Sequence, residues 1–379
     1  MSALPPFGTP EWLEAGTRQA NDVSPVTPHV SRTTTWDFAD RAAVRAAMFD
    51  ASPGTFYPRY GHPGIIALEA EMSVLERAEA SLAFASGMAA IAAVPHALLG
   101  PGEGYAYAAA CYGGTHALGR DLPRFGFSSH RFDAFSLSDL DRVLDQDVRI
   151  VHVESPVNPT GRVVDLEAIV ARVAGRAIVC CDGTLLPPPL QRPIEMGVDL
   201  VVHSATKFLG GHSDILAGIV SGKRELVARL EKWRRLSGGL LAPDDAWLLR
   251  RSLATVELRA RAENENARKV AEWLANDARV ERVHYPFDRE FGGALVTFEP
   301  RGGEQAMTRT YDSLRRIRRA VSLGGVESLA SIPIDTSHVA YGDEEFEKLG
   351  FGRHAIRLSV GLEPFEDLRD DLDQALHGF

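Results

Sequence analysis

Three short apolar runs in this 379-residue chain each end in residues able to do covalent or acid–base chemistry. RIVHVES delivers Glu154–Ser155–Pro156–Val157–Asn158–Pro159, AIVCCDG delivers Asp182–Gly183–Thr184, and DLVVHSA delivers Ser204–Ala205–Thr206–Lys207. A lysine amine at such a strand end can form a Schiff base, and a carboxylate can face a pyridinium nitrogen. Upstream, Ser86–Gly87–Met88 precedes the apolar stretch AAIAAVPHALL. A Ser-Gly step opening a helix supplies free backbone N–H groups and the positive dipole end, a geometry suited to a phosphate. Ser204 and Thr206 offer hydroxyls to the same anion. Tyr112, in Cys111–Tyr112–Gly113–Gly114–Thr115, is a flat aromatic beside a permissive turn, placed to stack on a cofactor ring.

For these groups to meet, the three runs must lie side by side. Each is β-rich and gives way to polar or glycine residues, as a buried strand does. Between the first two, DLEAIVARVAG sets Leu166, Ile169, Val170 and Val173 at helical spacing. This strand–helix–strand rhythm predicts an α/β fold with a mainly parallel sheet, and ligands of such sheets bind beyond the strand carboxyl ends. Ala80 to Gly102 carries no Asp, Glu, Lys or Arg and reads as a loop and a buried helix rather than a membrane span. From about Lys223 to Asn276 the pattern is helical, including a long helix that joins a large domain to a smaller one. From about Val280, strands (GGALVTFEP, AIRLSVG) mix with helices, the last near EPFEDLRDDLDQALHGF. The expected division is an N-terminal arm over 1–55, a large α/β domain over 56–250 and a smaller α+β domain over 251–379.

Composition narrows the partners. With 41 basic and 51 acidic residues the net charge is -10, which disfavours nucleic acid or an anionic membrane as the main partner. Hydrophobic residues at 45% and charged residues at 24% fit a soluble globular chain with its own core. Cys111, Cys180 and Cys181 form no disulfide framework or CxxC pair, which fits a reducing, cytoplasmic setting, and no secretory signal is visible. His203 and His212 stand nine apart with no acidic cluster, so no metal site is expected.

The segment DLVVHSATKFLGGHSD resembles the pyridoxal-phosphate attachment signature of the Cys/Met metabolism enzymes. That family includes cystathionine γ-synthase, γ-lyase and β-lyase, methionine γ-lyase and the O-acylhomoserine sulfhydrylases. The likeness runs in order through YPRYGHP, LEAEMSVLERAEASLAFASGMAAI, YGGT, ESPVNPTG, the lysine motif, SLGGVESL and IRLSVGLE. It implies the aspartate-aminotransferase-like transferase fold, fold type I, with pyridoxal 5'-phosphate as cofactor. Lys207 would hold the cofactor and shuttle protons. Asp182 would pair with the pyridine nitrogen, and Tyr112 would stack on the ring. Ser86, Gly87, Met88, Ser204 and Thr206 would bind the phosphate. Tyr57 and Arg59 would reach the phosphate of a neighbouring subunit, so the site would be built across a homo-oligomer of dimers, in the family a tetramer. Arg357 would clamp the substrate α-carboxylate, a bidentate task. Asn158 and Ser322 would orient the cofactor and that clamp. The implied reaction is γ-elimination or γ-replacement on a small amino acid; the alternatives are β-elimination and a cofactor-binding homologue without activity.

Several positions depart from the family's pattern. Gly114 stands where methionine γ-lyases carry cysteine, and Gly325 where they carry an acidic residue. Val321 replaces the glutamate of cystathionine γ-lyases, and Leu323 the tryptophan of some β-lyases. Together they leave a relatively apolar distal pocket, suited to a small or uncharged γ-substituent. Gly183 and His62 each replace an asparagine, and the Tyr285–Phe291 segment is short, so a specialised biosynthetic role is also expected.

Overall fold

The protein is described by a computed structural model over residues 26–49, 54–188, 190–339, 341, 346 and 349–377. Residues 1–25 and 50–53 of the expected arm lie outside the described residues.

The larger sheet has seven strands: β1 (Ala80–Phe84), β2 (Gly104–Ala108), β3 (Ser128–Phe132), β4 (Val148–Glu154), β5 (Ile178–Asp182), β6 (Leu200–His203) and β7 (Gly218–Gly222). Their spatial order is β1-β7-β6-β5-β4-β2-β3. β7 runs antiparallel to both neighbours, and the pairs from β6 to β3 are parallel. β1, β2, β4, β5 and β6 therefore end at one edge. The three apolar runs are adjacent here, with Glu154 opposite Asp182 and Asp182 opposite Val202.

Helices cover both faces, which is why these strands are apolar throughout. Cys180, Ile150, Leu200 and Val202 pack with residues of helices Gly87–Leu98 and Arg224–Ser237. Cys181, Val151, Val153 and Val201 pack on the other side with helices Leu137–Leu144 and Leu166–Val173. The adjacent cysteines thus enter opposite halves of the core, as strand alternation requires. Helix Leu166–Val173 starts where the Asp165 side chain accepts from Ala168 N at 2.9 Å and buries Leu166, Ile169 and Val173.

The smaller sheet, β8 (Val280–His284), β9 (Leu295–Pro300), β10 (Arg318–Arg319), β11 (Leu329–Ser331) and β12 (Ile356–Ser359), has the order β10-β11-β12-β9-β8. It shares a core with helices Val256–Ala275, Gly303–Ser313 and Phe365–Leu376.

Two expectations change. The start of the charge-free stretch is strand β1 rather than a loop, because Ala80–Phe84 pairs along its whole length with Gly218–Gly222. The long helical region is three helices, Arg224–Ser237, Pro243–Leu253 and Val256–Ala275. The first ends at Gly238, with φ 75°. The second breaks before Thr255, and the Arg259 guanidinium takes up the freed Ser252 carbonyl at 3.0 Å.

A buried ion pair joins β1 to two helices. Arg234, 1% exposed, donates to Glu69 at 2.5 Å and to the Ala83 carbonyl at 2.6 Å, while Ala83 N donates to Glu69 at 3.0 Å. Removing one partner leaves the other desolvated and alone. Arg234→Ala is expected to lower unfolding free energy by about 3–5 kcal/mol. Urea unfolding followed by circular dichroism checks this, with Arg32→Ala, from the exposed pair with Asp244, leaving the midpoint nearly unchanged.

Candidate active site

The sheet edge opens into a cavity of about 570 Å³. Ser86 ends the β1 connection and caps helix Gly87–Leu98 by accepting from Ala89 N at 3.1 Å. Gly87 lets this helix start touch the lysine loop: a Cβ there would lie 2.8 Å from Ser204 Cβ. Gly87, Met88 and Ser204 line the cavity, so backbone donors and a hydroxyl face one spot. Thr206 lines it too, but its hydroxyl donates to Ala217 O at 3.2 Å and accepts from Ala217 N at 3.0 Å.

Asp182 ends β5, is 5% exposed, and accepts from Thr184 N at 3.0 Å. Lys207 Nζ donates to Ser322 Oγ at 2.7 Å. Burial, with the Arg357 cation adding to it, pulls the amine down to about 8. Ser322 holds φ 82°, the left-handed region that a non-glycine residue occupies at a cost of about 1–3 kcal/mol.

Arg357, on β12, is 3% exposed. Its Nη1 donates to Asn158 Oδ1 at 3.1 Å and its Nη2 to the Ser322 carbonyl at 2.8 Å. Its Nε is buried with no hydrogen-bond partner, and among the described residues it forms no ion pair. Burial pulls it down to about 10, which still leaves it charged at neutral pH. A buried cation without a counter-ion is strongly disfavoured unless a ligand brings the anion.

Tyr112 is 41% exposed at the cavity mouth. Its ring lies over Gly114, where a Cβ would sit 2.6 Å from Tyr112 Cε1 and 2.7 Å from Met88 Sδ. Val321 and Leu216 form an exposed apolar rim on the cavity.

Tyr57 and Arg59 are not brought to this cavity in the same protomer. They border a separate groove with Trp36 and Phe38. Arg59 stacks over the rings of Tyr57 and Tyr60 and donates to Arg235 O at 3.1 Å. The His62 departure has a local cause. Its Nδ1 accepts from Ile65 N at 3.2 Å and its Nε2 faces Leu241 O at 3.1 Å, so a neutral imidazole caps helix Pro63–Glu76.

Sequence reasoning gave no role to Glu154 or to Thr336 and Ser337, which also line the cavity. Glu154 was signalled by its place at a strand end beside Asp182. Thr336 and Ser337 belong to a loop with no motif, and only the fold brings them in.

The cavity fits pyridoxal phosphate on its own terms: a helix start for an anion, a buried carboxylate, and an amine pulled down to about 8. The family profile of the Cys/Met metabolism PLP-dependent enzymes matches residues 11–377. The chain belongs to this family. Among its relatives, L-methionine gamma-lyase of Pseudomonas putida is 40% identical over 366 residues, covering 92% of each chain. The solved cystathionine gamma synthase of Xanthomonas oryzae pv. oryzae, in complex with aminoacrylate and cysteine, superposes with a TM-score of 0.90 at 32% identity, covering 97% of this chain and 96% of that one. A putative O-acetylhomoserine (thiol)-lyase of Campylobacter jejuni, which carries N'-pyridoxyl-lysine-5'-monophosphate, superposes with a TM-score of 0.88 at 28% identity, covering 93% and 96%. The family member in hand is thus a PLP-dependent enzyme of α/β fold.

The lowered lysine makes a direct prediction. The apoprotein should take up pyridoxal phosphate at a rate that rises with the neutral amine, with a midpoint at about pH 8. Arg357→Gln removes a cation that favours deprotonation, so the midpoint should move to higher pH. Stopped-flow absorbance across pH checks both.

Proposed function

We propose that this enzyme eliminates or replaces the γ-substituent of a small amino acid whose substituent is uncharged. The observation that supports this most is Arg357, a buried guanidinium with no counter-ion among the described residues, facing the same cavity as the Lys207 amine. An amino acid brings a carboxylate for the first and an amine beside the second.

When bound, pyridoxal phosphate supplies an electron sink that lets protons leave the α- and then the β-carbon of the amino acid. Lys207 is the residue proposed to hold it. A Lys207 amine near pH 8 can both accept and return a proton at neutral pH, as a shuttle between adjacent carbons must. Asp182 keeps the pyridine nitrogen protonated. Ser86, Gly87, Met88 and Ser204 hold the phosphate, and Thr206 joins them by exchanging its bond to Ala217. Arg357 holds the α-carboxylate, with Asn158 and the Ser322 carbonyl fixing the guanidinium plane. Tyr112 covers the site from the mouth.

The apolar rim of Val321 and Leu216 supports the choice of an uncharged substituent, since neither side chain offers a partner to a second charged head. Tyr57 and Arg59 are proposed to serve a neighbouring copy, in a dimer-built tetramer with phosphate contacts across the interface. The three buried, unpaired cysteines support a cytoplasmic setting. Among the described residues no helix is long and apolar enough to cross a membrane.

Borohydride trapping and peptide mapping should label Lys207, and Lys207→Ala should abolish the label. In deuterated water, methionine-type or O-acylhomoserine substrates should exchange the α-proton and yield a keto acid or a substituted amino acid. Cystathionine should turn over with kcat/KM at least about tenfold lower. Absence of α-exchange with every amino acid would overturn the reading, and pyruvate from cysteine-type substrates alone would turn it to β-elimination.

A further inference from the structure

Glu154 ends β4 with both carboxylate oxygens engaged by different loops. Oε2 accepts from Tyr112 N at 2.6 Å, and Oε1 accepts from Asn158 N at 2.8 Å. The residue is 4% exposed, lines the cavity, and forms no ion pair among the described residues. Asn158 continues the chain of contacts to Arg357, Arg357 to the Ser322 carbonyl, and the Ser322 hydroxyl to Lys207. One carboxylate therefore lies at the junction between the mouth of the cavity and its carboxylate clamp.

We infer that Glu154 is a positioning residue, tying the loop that carries Tyr112 to the turn that carries Asn158 and so fixing the spacing between the two walls of the site. This rests on the function proposed above. Glu154 is not placed as a general base, because its oxygens are turned to backbone amides. Burial, reinforced by Asp182 across the strand pair, pushes its carboxyl up to about 8. In either protonation state each oxygen keeps a lone pair for its amide, so the tether survives the change of charge. A bland structural role would involve strands or helices. Here both amides belong to loops whose side chains face the cavity.

Substitution separates the roles. Glu154→Gln keeps the shape but offers one acceptor oxygen, and its NH2 opposes the other amide. Glu154→Ala offers none. Hydrogen exchange by mass spectrometry on the apoprotein should show the peptide holding Tyr112 and the peptide holding Asn158 exchanging at least tenfold faster in Glu154→Ala, and one of the two in Glu154→Gln. Peptides from β5 and β6 should be unchanged. In the reconstituted enzyme, Glu154→Gln should lower kcat by about 10–100-fold, the effect of misplacing groups by about 1 Å, with cofactor affinity and KM within about threefold of wild type. Unchanged exchange at both peptides would overturn the inference, as would freed amides with an unchanged kcat. If Glu154→Ala does not fold, the Glu154→Gln pattern decides. If the wild-type enzyme turns over no amino acid, the proposed function fails, while the exchange experiment still tests the tether.

Discussion

Two basic groups share one cavity, and among the described residues no acid pairs with Arg357; the rest of the site is arranged around that fact. Arg357 is buried and Lys207 part-buried, so holding both charged is unfavourable. The lysine yields by releasing its proton near pH 8, whereas the guanidinium stays charged. What remains is a fixed positive charge, already oriented by the Asn158 amide oxygen and the Ser322 carbonyl, with its Nε still unsatisfied. The apoprotein carries this as an electrostatic debt that an anionic ligand relieves, and the same relief would tighten binding. The strained Ser322 belongs to this arrangement: with its left-handed backbone, its hydroxyl meets Lys207 while its carbonyl meets Arg357.

The two sheets make that meeting possible. Lys207 comes from beyond β6 of the large sheet, and Arg357 from the middle of the small one, paired with Thr297 and Ser331. A loop at Ser322–Gly324 bridges them. Gly324 lies so close to the lysine segment that a Cβ would stand 2.7 Å from Phe208 N. Arg259 fixes the same segment from the other side, donating to the Phe208 and Leu209 carbonyls at 2.9 and 3.2 Å. The segment that carries Lys207 is therefore held on both flanks, while its amine is held by Ser322 Oγ.

How far the sequence disclosed this depends on the range of the interaction. β4, β5 and β6 were legible because each is buried on both faces and must be apolar throughout. Helix Leu166–Val173 was legible because its cap and its stripe are local. β1 was not, since its residues are those of any small apolar stretch and only pairing with β7 makes them a strand. The break at Thr255 was hidden because Arg259, four residues on, supplies the lost bond. At the site, Lys207 and Asp182 announced themselves by position at strand ends. Arg357 gained its meaning from the family likeness, and its missing counter-ion is visible only in three dimensions. Tyr57 and Arg59 show the opposite limit, for in one protomer they border a groove apart from the Lys207 cavity.

The apolar rim and Gly114 belong to a single question of specificity. A Cβ at 114 would collide with the Tyr112 ring and with Met88 Sδ, so the ring placement seen here depends on glycine at that position. A side chain there, such as the cysteine that the likeness assigns to methionine γ-lyases, would have to displace the ring or the thioether. Beside it, Val321 and Leu216 offer no hydrogen-bonding side chain to a substituent. Such a wall discriminates asymmetrically. An added methylene changes binding by only about 1–3 kcal/mol, so a row of uncharged substituents is accepted with graded preference. A charged head finds no partner side chain on that rim. On the proposed function, selectivity would come from what the wall lacks, and Arg357, as the clamp for the carboxylate common to every amino acid, would supply the binding that the wall does not.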